Sequence, residues 1–169
     1  MAASMGTAIH NSVEDIWNLD ISGREDDEFR WLHSACVEIL QNRWEEERTL
    51  VLETPRHPRW KDESFSVALD GLRGAISILF EKAMLPLEEL SSVTVKTWKQ
   101  VQDIVVATEA NLESKCGRML GRLDLLIKDL ENEANDGLIV ADLKTGKPPE
   151  DELSFKLSRQ LLFYRDLLK

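Results

Sequence analysis

The sequence contains few cysteines, no long uncharged apolar run and no excess of basic residues. Its two cysteines, Cys36 and Cys116, lie far apart without C-x-x-C spacing, so neither a disulfide framework nor an iron–sulfur cluster is expected. No window approaches the roughly 18 uncharged apolar residues that a membrane span requires, and the first residues lack the basic and apolar regions of a signal peptide. These absences predict a soluble, intracellular and cytoplasmic protein that does not associate with a membrane.

The net charge of −10 argues against a generic nucleic-acid binder, because non-specific affinity comes mostly from neutralising phosphates with Lys and Arg. The acidity is concentrated near the N-terminus. Residues 1–55 carry four basic and twelve acidic side chains, whereas residues 56–128 carry eleven and ten. Carboxylates that bind a metal ion are also neutralised by that ion. The net charge therefore does not exclude a metal-dependent enzyme that acts on nucleic acid.

The length of 169 residues and the hydrophobic content of 43% favour one compact domain over residues 1–169. Helical periodicity predicts helices over about 7–18, 29–48, 65–83 and 153–168. Runs rich in β-branched or apolar residues predict strands over 93–97, 104–108, 119–127 and 138–141. We therefore expect a helical part at about 7–87, followed by a sheet and a last helix at about 90–169.

Two acids and a lysine fall on predicted neighbouring strands. Asp142 and Lys144 follow the apolar run at residues 138–141, which reads as a buried strand, and alternation along a strand puts both side chains on one face. Asp124 lies between two leucines, where a carboxylate costs free energy unless something compensates it. Each acid alone is as well explained by a solvated side chain. Together they favour a site for Mg²⁺ or Mn²⁺, because these ions prefer carboxylate oxygens.

Four segments resemble, in the same order, the motifs of the RecB-like branch of the PD-(D/E)XK nuclease superfamily. They are the segment around a histidine at residues 6–14, G-R-L-D at 121–124, D-L-K-T-G-K at 142–147 and Q-L-L-F-Y at 160–164. The last is similar to the Q-x-x-x-Y helix motif of the exonuclease-like members. The resemblance implies an α/β fold, in which a small mixed sheet flanked by helices forms a restriction-endonuclease-like core with an N-terminal helical insertion.

The resemblance also implies catalytic and metal-binding roles for individual residues. Asp124, Asp142 and Lys144 correspond to the catalytic residues of the family. His10, Asp124, Asp142 and the backbone carbonyl of Leu143 correspond to ligands of one or two Mg²⁺ or Mn²⁺ ions. Taken alone, His10 is more simply a packed or exposed histidine, and it is the motif around it that favours a ligand.

Other site residues carry weaker assignments. Gln160 and Tyr164 lie four apart on a predicted helix and so share a face, and the resemblance implies that they position the substrate end. The family often has a further acid on the strand before Asp124, and Glu109 corresponds to that place, although Glu113 could be aligned there instead. Arg122 either contacts a phosphate or pairs with a neighbouring acid.

The resulting prediction is a metal-dependent deoxyribonuclease that cuts phosphodiester bonds in an exonuclease-like, end-dependent way, on single-stranded DNA or duplex ends. The alternative is a catalytically weak or inactive nuclease-like module of a larger DNA-processing complex. In that case acidic residues 1–55 face a partner protein, and the basic cluster Arg56, Arg59 and Lys61 contacts DNA. A helicase, another DNA-processing partner or a homo-oligomer fits either hypothesis.

The sequence ends soon after the Q-x-x-x-Y motif, where members of the family usually continue with another strand. Three explanations stay open: a minimal member, a chain truncated at its C-terminus, or a sheet that a second copy or a partner completes.

Overall fold

The computed structural model describes residues 2–54, 60–131, 137–142 and 155–167, apart from the side chains of residues 2 and 155–157. Leu143 and Lys144 lie outside the described residues, as do Arg56 and Arg59 of the basic cluster. The chain divides into two compact units, Met1–Asp103 and Ile104–Lys169. The assignment of the whole chain to one domain stays a prediction.

In the first unit, which we call the helical unit, the described residues form four α-helices. Its helices are α1 (Ala2–Trp17), α2 (Trp31–Glu53), α3 (Phe65–Lys82) and α4 (Val95–Gln102). Helix α1 packs against α2 and α3, and apolar residues at helical spacing, such as Ile9 and Ile16, are buried there. None of the helices among the described residues combines the length and the apolar character that crossing a membrane would take.

Helix α4 corrects one sequence prediction, because a strand was expected over residues 93–97. Alternating β-branched residues led to that wrong prediction, since they are typical of strands. The Thr94 side chain instead caps the helix by accepting a hydrogen bond from the backbone N–H of Thr97 at 3.2 Å. The helical spacing of three buried residues outweighs the β propensity: Val95, Trp98 and Val101.

An aromatic cluster around Trp98 holds the core of the helical unit. Trp98 is fully buried, and its ring centroid lies 5.2 Å from that of Trp17, 6.1 Å from that of Trp31 and 6.2 Å from that of Phe80. Such tilted and edge-to-face pairs stabilise a core beyond the area that they bury. The cluster therefore joins α4 to the other helices of this unit.

Replacing Trp98 by alanine is expected to lower the free energy of unfolding by about 3–5 kcal/mol, because the substitution leaves a large cavity. Denaturant titration followed by circular dichroism measures this loss. Val67→Ala serves as the control, since Val67 is 57% exposed and its truncation should cost less than about 0.5 kcal/mol. A loss at Trp98 no greater than at Val67 would contradict the role given to the cluster.

In the second unit, which we call the sheet unit, the part that the structure describes forms three strands and one helix. Strands β1 (Val105–Glu113), β2 (Leu120–Lys128) and β3 (Leu138–Ala141) lie in the order β1-β2-β3, and helix α5 spans Phe155–Leu167. Both neighbouring pairs among the described strands are antiparallel. The α/β fold with a small sheet, helices and an N-terminal helical region is confirmed.

Strand β3 has the predicted bounds, but it is not buried as expected. Leu138 is 50% exposed, and the other three residues are half-buried. Among the described strands β3 pairs only with β2, so it forms one edge of the described sheet. An apolar run between turn residues therefore located the strand correctly, while its burial depended on neighbours that the sequence does not reveal.

Helix α5 packs against all three strands of the sheet. Leu123, Leu126 and Tyr164 form the buried centre of this packing, and Phe163 and Val140 pack around it. Gly121 explains how closely the helix approaches, because a Cβ added there would lie 3.0 Å from the Phe163 ring and 3.2 Å from the Tyr164 ring. The glycine of the G-R-L-D segment therefore has a packing role.

Candidate functional site

Two carboxylates face each other across β1 and β2. Thr108 pairs with Leu125 and Ala110 pairs with Leu123, so the register places Glu109 opposite Asp124. A carboxylate oxygen of Glu109 and one of Asp124 lie within 4.8 Å of each other. Side chains directly opposite on adjacent strands point to the same face. We call Glu109 and Asp124 the carboxylate pair.

The carboxylate pair is held in an energetically unfavourable arrangement. Like charges directly opposite each other destabilise an antiparallel sheet, and Glu109 is also only 16% exposed at its side chain. Its backbone adopts φ 47°, in the left-handed region that a residue with a side chain rarely occupies. Backbone strain of this kind persists only where the surrounding structure enforces it, and it concentrates at functional sites.

Arg122 offsets part of this cost. Its Nε lies 2.7 Å from a carboxylate oxygen of Glu109. Asn111 pairs with Arg122, so Arg122 lies diagonally across the ladder from Glu109 on the same face as Asp124. Of the two readings of Arg122, the structure shows the ion pair with a neighbouring acid. The Arg122 side chain is 61% exposed, so the pair lies at the edge of solvent.

The register also settles which glutamate accompanies Asp124 on β1. Glu113 pairs with Leu120 near the other end of the strand and is exposed. Glu109 is the residue opposite Asp124. Sequence comparison alone left Glu113 as an alternative, because the choice depends on how the two strands align.

Asp142 lies one residue beyond β3. Ala141 is the last residue of that strand and pairs with Leu125, so continuing the register by one residue places Asp142 across from Asp124. The amide nitrogen of Gln160 on α5 donates a hydrogen bond to Oδ1 of Asp142 at 3.0 Å. Asp142 therefore directly follows the strand that pairs with β2, and it contacts helix α5.

Gln160 and Tyr164 lie on the same face of α5, as their spacing predicts. The Gln160 amide nitrogen also donates to the Tyr164 hydroxyl at 3.0 Å, and that hydroxyl donates to the backbone carbonyl of Arg122 at 2.5 Å. Tyr164 is only 6% exposed. Their predicted role in positioning a substrate end stays a prediction.

The other predicted ligands lie outside the described part of the sheet unit. His10 lies on α1 of the helical unit, where it is half-buried. Leu143 and Lys144 fall outside the described residues. Their roles as ligands and catalytic lysine therefore stay predictions that rest on the motifs.

The donor set of the sheet unit fits a hard divalent cation. Mg²⁺ binds oxygen ligands at about 2.1 Å, so two ligands of one ion lie at most about 4.2 Å apart. The carboxylate pair approaches that separation, and a cation between the two groups would remove their repulsion. Carboxylate oxygens are ligands that hard divalent cations prefer.

The whole chain, residues 1–169, matches the family model described as the PD-(D/E)XK nuclease superfamily. The chain belongs to this superfamily. Comparison with curated proteins and with solved structures finds no match. The assignment to the RecB-like branch within the superfamily stays a prediction.

Membership in the PD-(D/E)XK superfamily indicates what chemistry the carboxylate pair could serve. Enzymes of this superfamily are nucleases that cleave phosphodiester bonds, generally with divalent metal ions. Asp124 and Asp142, predicted from two motif segments, lie on or directly after adjacent strands of one sheet. The fold and the carboxylate pair are thus consistent with a nuclease.

Proposed function

We propose that this protein is a Mg²⁺- or Mn²⁺-dependent deoxyribonuclease of the RecB-like branch, which degrades DNA from its ends. The observation that carries the proposal is the carboxylate pair of Glu109 and Asp124 across β1 and β2, with Asp142 directly after the adjacent strand β3. Opposing carboxylates do not stabilise the pairing of two strands, since like charges directly opposite each other repel. A divalent cation bound between the two carboxylates would remove their repulsion and could also bind a phosphate group of DNA.

The carboxylates of Asp124 and Asp142 are the proposed central ligands, and Glu109 adds a third oxygen donor. On the evidence of the motifs alone, the Leu143 carbonyl and His10 complete the ligand set. When bound, the ion supplies a Lewis acid that polarises the scissile phosphate and lowers the pKa of a water molecule. The positive charge of the ion would also help to bind DNA, because the chain itself has a net negative charge and attracts phosphate weakly.

Lys144 is the proposed partner of these acids in catalysis. Its ammonium group orients the attacking water and stabilises negative charge that develops on the phosphate. Arg122 pairs with Glu109 and, at 61% exposure, lies at the border between the carboxylate pair and solvent. We propose that it keeps Glu109 ionised and in place, and that phosphate contacts come mainly from Lys144.

Whether cleavage requires a DNA end is tested with one circular duplex DNA, used both linearised and covalently closed. With Mn²⁺ present, the circle linearised at a single site is expected to be degraded, whereas the covalently closed circle should remain intact over the same time. Both substrates have the same sequence, so only the ends differ. Equal cleavage of the closed circle would show internal cutting and would contradict the end-dependent mode.

The alternative, a nuclease-like module that binds without cutting, predicts a different result in the same assay. Such a module would bind Mn²⁺ while leaving linear and closed DNA intact. A matched RNA strand, added as a third substrate, addresses the preference for DNA. Faster cleavage of the RNA than of the linear DNA would contradict the proposed substrate class.

A further inference from the structure

Three hydrogen bonds connect β2 to Asp142 through helix α5. The Tyr164 hydroxyl donates to the Arg122 carbonyl at 2.5 Å, the Gln160 amide nitrogen donates to the Tyr164 oxygen at 3.0 Å, and the same nitrogen donates to Asp142 Oδ1 at 3.0 Å. All of these residues belong to the sheet unit. We call this chain of contacts the Gln160 relay.

The direction of each hydrogen bond in the relay is fixed. A tyrosine hydroxyl has one hydrogen, and here it is used by the Arg122 carbonyl, which is an acceptor only. The Tyr164 oxygen can therefore only accept from Gln160. The NH₂ group of Gln160 must face Tyr164, and its second hydrogen is then directed to Asp142. A flipped amide would place its oxygen against a carboxylate and would lose both bonds.

Asp142 depends on side-chain contacts for its orientation because it lies beyond the strand ladder. The last residue of β3 is Ala141, and the next described residue is Asp142. Backbone pairing with β2 therefore holds the chain only up to the position before the acid. A contact from a helix that is itself packed on β2 adds a constraint on its side chain.

We propose that Gln160 is a positioning residue that holds the Asp142 carboxylate in the orientation needed to bind a divalent cation, and that Tyr164 acts through Gln160. This inference rests on the proposed nuclease function. It gives the Q-x-x-x-Y segment a role in the metal centre in addition to any contact with DNA. Carboxylates that ligate metals are usually oriented by hydrogen bonds from neighbouring groups, and the relay provides one.

Burial supports this role for Tyr164. The residue is 6% exposed, and both its packing against Gly121 and its hydroxyl contacts lie within the sheet unit. A buried ring with a committed hydroxyl is better placed to support another side chain than to contact a strand end. Because the relay ends on the backbone of Arg122, two residues before Asp124, it links the positions of two acids.

The test measures Mn²⁺ affinity by calorimetry, in the absence of DNA, for the wild type and for Gln160→Leu. Leucine keeps the approximate size of glutamine but donates no hydrogen bond. We expect Mn²⁺ binding to weaken about 10-fold or more, which is the usual consequence of removing a partner of a metal ligand. Leu162→Ala is the matched control, because Leu162 lies on the same helix, is 47% exposed and takes no part in the relay.

Tyr164→Phe tests whether the tyrosine acts through Gln160. The ring packing is retained while the hydroxyl is lost, so we expect a smaller loss of Mn²⁺ affinity than for Gln160→Leu. The double variant should bind Mn²⁺ as the Gln160→Leu variant does, because residues that act through one another are not additive. Additive losses would contradict a relay through Gln160.

Cleavage kinetics separate this role from direct contact with DNA. A positioning role predicts a lower kcat for Gln160→Leu at limiting Mn²⁺ with an unchanged KM for DNA. Unchanged Mn²⁺ affinity together with a raised KM for DNA would overturn the proposal in favour of a substrate contact. If the wild type binds Mn²⁺ but cleaves neither DNA nor RNA, the nuclease proposal fails, while the Mn²⁺ affinities still decide the role of Gln160.

Discussion

Replacing Asp124 by asparagine is expected to lower the rate of Mn²⁺-dependent DNA cleavage by at least about 10³-fold. Metal stabilisation of transition-state charge supplies several kcal/mol, and each 1.36 kcal/mol corresponds to about a tenfold change in rate. Asparagine keeps the shape of the side chain but removes its negative charge, so cation binding is weakened while the strand pairing is retained. Initial rates at saturating DNA measure the effect.

The fold should survive this change. Removing one of two opposing charges alters the free energy of unfolding in the presence of a chelator by about 1 kcal/mol or less. Glu113→Gln is the matched control, since Glu113 lies on β1 but is exposed and pairs with Leu120 rather than with Asp124. A loss of activity in Glu113→Gln as large as that in Asp124→Asn would contradict the assignment of Glu109 to the carboxylate pair.

Replacing Lys144 by alanine is expected to lower kcat by about 10²–10⁴-fold, the range typical for loss of a group that assists proton transfer. Mn²⁺ affinity should stay within a few-fold of the wild type, because an ammonium group is not a metal ligand. The two measurements therefore separate chemistry from metal binding. Asp142→Ala, in contrast, should reduce both.

Lys147→Ala is the control for Lys144, because Lys147 belongs to the same motif segment but is not part of the D-x-K pattern. It should retain activity within a few-fold. Equal losses in the two lysine variants would indicate a general electrostatic effect on DNA binding. Full activity of Lys144→Ala would refute the catalytic role of this residue.

The fold was predictable where the sequence pattern is local. The apolar run at residues 138–141 lies between turn-forming residues, and strand β3 has the predicted bounds. The long helical periodicities at both ends of the chain likewise correspond to α1 and α5. The strand prediction for residues 93–97 was wrong because β-branched residues alternate there. The capping of α4 by Thr94 and the burial of Trp98 instead stabilise a helix.

The site was predictable only in part, because its geometry depends on strand register and helix packing. The motifs identified Asp124 and Asp142, but the choice between Glu109 and Glu113 depends on how β1 and β2 align. The positive φ of Glu109 and its ion pair with Arg122 follow from the pairing of β1 with β2. The contact between Gln160 and Asp142 requires α5 to lie close to the sheet, which Gly121 permits.

The most direct test of the account compares DNA cleavage by the wild type and by Asp124→Asn, each in Mn²⁺ and in excess chelator. We predict that the wild type cleaves linear DNA only with Mn²⁺ and that Asp124→Asn is slower by at least about 10³-fold. Cleavage that persists in chelator, equal rates for the two proteins, or intact DNA with the wild type in Mn²⁺ would contradict a metal-dependent nuclease centred on these carboxylates.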